Sequence, residues 1–169
     1  MSSCKLKCAI DIDDTLSDFI NPYYTRFGKP KNDYEITRNV FRKLRYDKEF
    51  WVNLPVLETI NFIPEAYCTK RVNPKSYSRE WIKRNNFPMR PIYQMYYQKG
   101  NKADLIRGIC DVLIDDSIFN VEQCLNSGFP AILIDRPHNR HSQLIRIYNL
   151  DIEEIERAYE LVLDGIKRH

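Results

Sequence analysis

Glycine is scarce in this sequence, with five residues among 169. The loops G-x-x-x-x-G-K-[ST] and G-x-G-x-x-G, with which P-loop NTPases and dinucleotide-binding enzymes hold phosphate groups, are both absent. No cysteine is followed by an arginine six positions later, which excludes a cysteine-nucleophile phosphatase of the C-x5-R type. These absences argue against NTP-driven, NAD-dependent and cysteine-based phosphate chemistry.

Long apolar runs are also missing. No segment approaches the roughly 18 apolar residues of a membrane span, and the N-terminal MSSCKLKCAIDID becomes acidic before a signal-like apolar core can form. The cysteines include no C-x-x-C pair and lie mostly in apolar segments, which is typical of reduced, buried thiols. They are Cys4, Cys8, Cys68, Cys110 and Cys124. We expect a cytoplasmic protein with no membrane partner, either a monomer or a homodimer.

Neither sign of charge is in large excess, because the formal net charge is +3. The distribution is uneven: residues 66–102 contain nine lysines and arginines and one acid, Glu80, whereas residues 151–164 are acidic. A basic segment favours an anionic ligand, either a phosphate group or a nucleic acid. A solvated helix face is the alternative interpretation. The nine bases are Lys70, Arg71, Lys75, Arg79, Lys83, Arg84, Arg90, Lys99 and Lys102.

Short apolar runs that end in polar or acidic residues have the length and composition of parallel strands buried on both faces. They span residues 7–13, 65–69, 91–97, 111–116 and 131–135. Helical patterns with capping residues lie between and after them. These patterns span residues 78–87, 101–109, 117–128 and 151–163, the last with Asp151 and Glu154 at capping-box spacing.

The alternation predicts an α/β protein with a doubly wound, Rossmann-like parallel sheet and a ligand site at the carboxyl ends of its strands. Asp11, Thr69 and Asp115 fall at such ends. Residues 15–63 do not fit the alternation, because they carry helix-like stretches and many aromatics but no clear core strand. We predict a core of residues 1–14 and 64–169, with residues 15–63 inserted as a small, mainly helical cap over the site.

Four acidic residues crowd the segment AIDIDDTLSDF directly behind the first apolar run. Asp11 and Asp13 are two positions apart, so in extended backbone they point to the same side, where one can act as nucleophile while the other handles protons. Like charges this close need a cation or a shared proton. A calcium-binding EF-hand is excluded, because Leu16 and Pro22 replace its glycine and glutamate. A helix N-cap with extra surface acids is the alternative.

Four motifs follow one another in order: DIDDT at Asp11, YCT ending at Thr69, NKADLI with Lys102, and LIDDS with Asp115 and Asp116. Together they resemble the four motifs of the haloacid dehalogenase superfamily. The resemblance implies that the Asp11 carboxylate attacks phosphorus and forms an aspartyl-phosphate, which water then hydrolyses. It also implies that Asp13 first protonates the leaving oxygen and later takes a proton from that water.

The same resemblance implies a Mg²⁺ cofactor held by the Asp11 carboxylate, the backbone carbonyl of Asp13 and the Asp115–Asp116 pair. We expect Asp116 to be the direct ligand and Asp115 to act largely through water. Thr69, Lys70 and Lys102 would surround the transferring phosphoryl group, with Lys99 as a competitor for the lysine role.

Within the superfamily the chain is most similar to the 5′(3′)-deoxyribonucleotidases and their bacterial and phage relatives. The similar stretches are DIDDTLSDF, EFWVNLPVLETI, YCTKRVNPKSYSREWIKRNNF and LIDRP, although Asp14 and Thr15 replace the usual glycine and valine. The likeness implies that Phe19 stacks on a nucleobase, with Phe50 or Trp51 as a second wall and Arg71 near the phosphate. Packing of these aromatics between cap and core is the alternative.

Three functions remain open at this point. The first is a Mg²⁺-dependent phosphatase acting on nucleoside monophosphates, most of all deoxynucleotides. The second is the same chemistry on another small phosphomonoester or on the 3′-phosphate end of a nucleic acid, which the basic segment favours. The third is a noncatalytic binding module. His138 and His141 have no third metal ligand near them in sequence, so we interpret both as surface or loop-anchoring residues.

Overall fold

A computed structural model describes residues 6–31, 33–96 and 100–167, with only the backbone described at residues 33 and 34. Its strands are β1 (Cys8–Ile10), β2 (Ala66–Thr69), β3 (Ile92–Gln94), β4 (Val112–Asp115), β5 (Ala131–Ile134) and β6 (Arg146–Ile147). They form one sheet in the order β3-β2-β1-β4-β5-β6, and every neighbouring pair is parallel. The predicted α/β architecture with a parallel sheet is therefore confirmed.

Seven helices accompany the sheet within the described residues. They are α1 (Ile20–Phe27), α2 (Asp33–Asn39), α3 (Lys48–Val52), α4 (Lys75–Arg84), α5 (Ala103–Ile106), α6 (Ile118–Asn126) and α7 (Ile152–Lys167). A π-helical turn, Val40–Leu44, continues α2, and a 3-10 turn, Pro137–Asn139, follows β5. None of these helices is long and apolar enough to cross a lipid bilayer.

The two faces of the sheet bury alternate residues of each strand, as the strand period of two requires. Ile10, Ile114 and Ile134 pack in one buried cluster with Trp81 of α4 and Ile155 of α7. Their strand neighbours Ala9, Leu113 and Leu133 pack in a second cluster with Ile106 of α5 and Val121 of α6. Helices thus cover both faces, which is the doubly wound arrangement.

The segment between β1 and β2 contains α1, α2, the π-helical turn and α3. Its side chains Tyr23, Leu44 and Trp51 are buried in the same cluster as Ile10 of β1. The insertion therefore packs on the core of the protein. The domain limits at residues 15 and 63 stay a prediction.

Several boundaries differ from the sequence interpretation. β1 ends at Ile10, so Asp11 and Asp13 lie in the loop after the strand. α5 stops at Ile106, because Arg107 has an extended ψ of 130° and Gly108 a left-handed φ of 80°. The capping box predicted for α7 is half formed: Asp151 accepts the N–H of Glu154 at 3.3 Å, whereas the Glu154 carboxylate accepts the N–H of Tyr148 at 2.8 Å.

β6 was missed by the sequence interpretation, since two residues give no recognisable period. The prediction of buried, reduced thiols is confirmed for four cysteines: Cys8, Cys68, Cys110 and Cys124 are buried and none forms a disulfide with another described residue. Cys4 lies outside the described residues.

Candidate active site

Three carboxylates meet at the carboxyl ends of β1 and β4, where the strand order reverses direction. Asp11 follows β1, Asp115 ends β4 and Asp116 is the next residue. One oxygen from each lies within 4.8 Å of the others, and all three side chains are buried. In doubly wound sheets this switch point is where ligands bind. The structure therefore brings the predicted acids of the first and fourth motifs into one cluster.

Lys102 reaches this cluster from the start of α5. Its buried ammonium donates to Asp11 Oδ1 and, at 2.7 Å, to Asp115 Oδ2. Burial alone would lower the pKa of Lys102, but the Asp11 and Asp115 charges outweigh it and raise that pKa. The lysine is therefore a permanent cation between two carboxylates, while Lys99, its competitor in sequence, lies outside the described residues.

The acids together carry more charge than one lysine offsets. Burial raises the pKa of Asp11 well above its usual value; Lys102 lowers it in part, and the neighbouring Asp115, Asp116 and Asp13 raise it further. Burial also raises the pKa of Asp116. A divalent cation held by carboxylate oxygens would relieve this repulsion, so the donor set fits Mg²⁺.

Asp115 and Asp116 differ in how much of each carboxylate is occupied. Asp115 Oδ2 accepts from Lys102, and Oδ1 accepts from the Ser117 N–H at 2.9 Å and from Asn120 Nδ2 at 3.2 Å. Among the described residues, His138 Nε2 alone contacts Asp116 Oδ2, at 2.9 Å, and Oδ1 accepts a long bond from Thr15 at 3.4 Å. Asp116 is therefore the freer of the two to bind a metal.

Asp13 points to one side of this cluster and is bound by Arg71. Arg71 Nε and Nη2 donate to Asp13 Oδ1 at 2.9 and 2.6 Å, and Ser17 Oγ donates to the same oxygen at 3.1 Å. Arg71 was expected near the phosphate of a substrate. Arg71 lines the cleft together with Thr69 and Lys70, and its guanidinium binds the second acid of the D-x-D pair.

Thr69 and Lys70 follow β2 and border the same space. Thr69 is buried, and its hydroxyl accepts the Arg71 N–H at 3.2 Å, while no described residue accepts the hydroxyl hydrogen. The Lys70 ammonium lies 5.3 Å from the ring centre of Phe119 and donates to Gln123 at 3.4 Å. Burial lowers the pKa of Lys70. Both residues line the cleft that contains Asp11 and Lys102.

The cleft above the carboxylates has a volume of about 340 Å³ and is lined from both the insertion and the core. The three predicted aromatics pack on one another: Phe19 stacks on Trp51 with centroids 5.7 Å apart, and Phe50 stands edge-on to both. Phe19 is only 8% exposed. Phe19 and Trp51 contribute to the lining of the cleft, whereas Phe50 is not among the residues that line it.

Two exposed aromatics that the sequence interpretation missed also line the cleft. Phe41, in the π-helical turn, is 37% exposed, and Phe119, in the first turn of α6, is 53% exposed. The available signal was that Phe119 follows Asp116 by three residues, so a helix starting at Ser117 places it beside the strand ends. Phe41 gave no such signal.

Two residues of the loop after β5 support the site, although sequence assigned them no role in it. Arg136 donates to the carbonyl oxygens of Asp14 and Thr15 at 2.8 and 2.9 Å, and so anchors the loop that carries the D-x-D pair. His138 contacts the carboxylate and the backbone oxygen of Asp116. His138 therefore anchors a loop, one of the two roles expected for it, but does so on a candidate metal ligand.

The basic segment of residues 66–102 divides into two groups. Arg71, Lys70 and Lys102 border the site, and Arg90 pairs with Glu65 at 3.1 Å. The others within the described residues lie on the exposed side of α4. They are Lys75, Arg79, Lys83 and Arg84. The solvated helix face expected from sequence is therefore found on α4, and the anionic ligand stays a prediction for the bases that border the cleft.

Comparison of the sequence with models of known protein families gave no match, and comparison with curated proteins gave none. The site consists of a buried acidic triad, one buried lysine and an arginine-bound aspartate beneath an aromatic cleft.

Proposed function

We propose that the protein is a Mg²⁺-dependent phosphomonoesterase that works through an aspartyl-phosphate on Asp11. The observation that carries this proposal is the buried Lys102 ammonium bound to both Asp11 and Asp115, beside Asp116, at the switch point of a doubly wound sheet. The order and position of these residues agree with the resemblance to the haloacid dehalogenase superfamily.

Asp11 is the nucleophile in this proposal. An oxygen of its carboxylate forms a bond to phosphorus while the bond from phosphorus to the ester oxygen breaks. Asp13 gives its proton to the departing oxygen, so that an alcohol leaves. A water molecule then attacks the aspartyl-phosphate, Asp13 takes a proton from it, and inorganic phosphate departs with the Asp11 carboxylate restored.

The transferring group carries two negative charges toward a carboxylate, and this repulsion must be offset. The Lys102 ammonium, Lys70 and the hydroxyl of Thr69 border the space above Asp11 and are the donors that would hold the phosphoryl oxygens. Mg²⁺ would be held by Asp11 and Asp116, the backbone carbonyl of Asp13 and, through water, Asp115, whose oxygens are already hydrogen-bonded. When bound, the cation supplies positive charge that lowers the barrier to attack by an anion.

We propose a nucleoside monophosphate as substrate, most of all a deoxynucleotide. Aromatic side chains line the cleft beyond the phosphate donors, and flat aromatic faces favour a planar base. Because Phe19 and Trp51 already stack on each other, the exposed rings of Phe41 and Phe119 are the better candidates for contact with a base.

The test is phosphate release from a panel of phosphate esters with and without Mg²⁺. It would compare deoxyribonucleoside and ribonucleoside 5′- and 3′-monophosphates, sugar phosphates and a 3′-phosphorylated oligonucleotide. We expect Mg²⁺-dependent release with the highest kcat/KM on a mononucleotide, loss of at least about 10³-fold in Asp11→Asn, and a phosphorylated Asp11 peptide after acid quenching.

Asp135→Asn is the matched control, since Asp135 follows β5 at the same edge of the sheet but is paired with Arg140 and Arg146. It should retain activity. A strong preference for sugar phosphates or for the oligonucleotide would overturn the substrate class. Full phosphate release by Asp11→Asn would overturn the mechanism.

A further inference from the structure

Arg71 holds one oxygen of Asp13 and leaves the other free. Asp13 Oδ1 accepts from Nε and Nη2 of Arg71 and from Ser17 Oγ, whereas no described residue donates to Oδ2. The side chain of Asp13 is 23% exposed and lines the cleft. One oxygen is therefore held by two N–H groups of Arg71, with the Ser17 hydroxyl shared between it and the Ile12 carbonyl, while its partner remains available to a ligand.

The Arg71 guanidinium is held by hydrogen bonds and by contacts with two aromatic rings. Arg71 has no exposed side-chain area, and its guanidinium carbon lies 5.2 Å from the ring centre of Trp51 and 5.8 Å from that of Trp81. Nη1 donates to Ser78 Oγ at 3.3 Å and Nη2 to Ser17 Oγ at 3.0 Å. Each of the three nitrogens therefore has a partner among the described residues, although Arg71 also contributes to the lining of the cleft.

We propose that Arg71 is a positioning residue for the proton-transfer step and does not bind the substrate phosphate. It fixes Asp13 so that Oδ2 meets the leaving oxygen. The O–H bond of Asp13 then breaks as the leaving oxygen gains that proton and the electrons of its former bond to phosphorus. This inference rests on the proposed phosphatase function and gives Arg71 a role different from the one expected from sequence.

The test exploits leaving groups that differ in their need for a proton. The nitrophenolate of p-nitrophenyl phosphate leaves without a proton, whereas the sugar alkoxide of a nucleotide needs one. For both esters, kcat/KM reports the steps up to departure of the leaving group. We expect Arg71→Met to lower kcat/KM for a deoxynucleoside 5′-monophosphate by about 10²-fold and that for p-nitrophenyl phosphate by less than about fivefold.

Arg71→Lys should recover about tenfold of the nucleotide activity, since an ammonium keeps the charge but lacks the two parallel donors. Arg90→Met is the matched control, because Arg90 pairs with Glu65 at the opposite end of β2, and it should leave both substrates unchanged. If the Arg71 variants do not fold by circular dichroism, Ser17→Ala removes another donor to the same oxygen, and the same selective loss is expected at smaller size.

Equal losses on the two substrates, or a rise in KM for both with kcat unchanged, would assign Arg71 to phosphate binding or to the fold and overturn the inference alone. If the unsubstituted protein hydrolyses neither ester with Mg²⁺, the proposed function fails and the inference falls with it.

Discussion

Asp14 shows how a single residue serves both the backbone and the electrostatics of the site. It adopts a left-handed φ of 56°, which favours glycine, and aspartate tolerates this conformation better than most residues. Its carboxylate accepts the N–H groups of Phe19 and Ile20, both at 3.0 Å, and so caps α1. Burial, followed by the charges of Asp116 and Asp13, raises the pKa of Asp14 to about 7.

This raised pKa predicts how stability depends on pH. Between about pH 4 and 7 the folded protein retains a proton on Asp14 that the unfolded chain releases, so stability falls as pH rises, by at most about 1.4 kcal/mol per unit. Asp14→Asn keeps an acceptor for the two N–H groups and removes this titration. The free energy of unfolding of Asp14→Asn, relative to that of the unsubstituted protein, should therefore increase as pH rises from about 4 to 7. Urea unfolding with EDTA present measures this difference.

Asp14→Ala separates the cap from the charge. It loses the acceptor and must hold the left-handed conformation, so it should be about 2–3 kcal/mol less stable than Asp14→Asn. If the unfolding curves of the unsubstituted protein and Asp14→Asn shift in parallel between pH 4 and 7, Asp14 does not titrate there.

Residues at strand ends were the ones that sequence could place. Asp11, Asp115 and Thr69 follow apolar runs that become neighbouring parallel strands, so their meeting at one edge is a consequence of strand direction alone. The partner of Arg71, the contact of His138 with Asp116 and the mutual stacking of Phe19 and Trp51 depend on loop conformations and rotamers. No periodicity in the sequence encodes these features.

At the scale of elements, the loop after β5 is tied to the loop after β1. Arg136 is buried and donates to two carbonyl oxygens of the β1 loop, at Asp14 and Thr15, and to Glu58 at 3.2 Å. Sequence predicted β1 and β5 separately, but the connection between their loops runs through one side chain across 121 and 122 residues. Local sequence patterns do not predict contacts between residues so far apart in the chain.

Arg136→Met should destabilise the protein by about 2–3 kcal/mol, because it leaves buried carbonyl oxygens without donors. Arg140→Met, four residues further along, removes an exposed pair with Asp135 and should cost less than about 1 kcal/mol. Urea unfolding of both variants gives the comparison. Equal destabilisation by the two substitutions would show that the hydrogen bonds of Arg136 stabilise the fold no more than an exposed ion pair does. Loss of phosphate release by folded Arg136→Met would extend its role to placement of the D-x-D pair.

At the scale of the whole molecule, the site exists only when the sheet is complete. Lys102 and Asp11 are 91 residues apart in sequence, and Arg71 and Asp13 are 58 apart. The acidic triad depends on the pairing of β1 with β4, in which Ile10 lies opposite Ile114. An unfolded chain does not hold these carboxylates together, so any ligand that needs all of them binds the folded state alone.

Mg²⁺ should therefore stabilise the fold. A cation that binds only the native state adds about 2.7 kcal/mol at a concentration 100 times its Kd, and thermal unfolding with Mg²⁺ against EDTA measures this directly. Asp116→Asn removes the freest carboxylate and should lose the response. Because burial raises the pKa of Asp116, this variant should also melt no lower than the unsubstituted protein in EDTA.

Asp135→Asn is the control for charge at this edge of the sheet, since two arginines already neutralise Asp135, and its response to Mg²⁺ should be unchanged. A Mg²⁺ response that persists in Asp116→Asn would place the cation elsewhere. Since the repulsion among Asp11, Asp115 and Asp116 is what the cation relieves, the stabilisation should also weaken as pH falls and these acids take up protons instead.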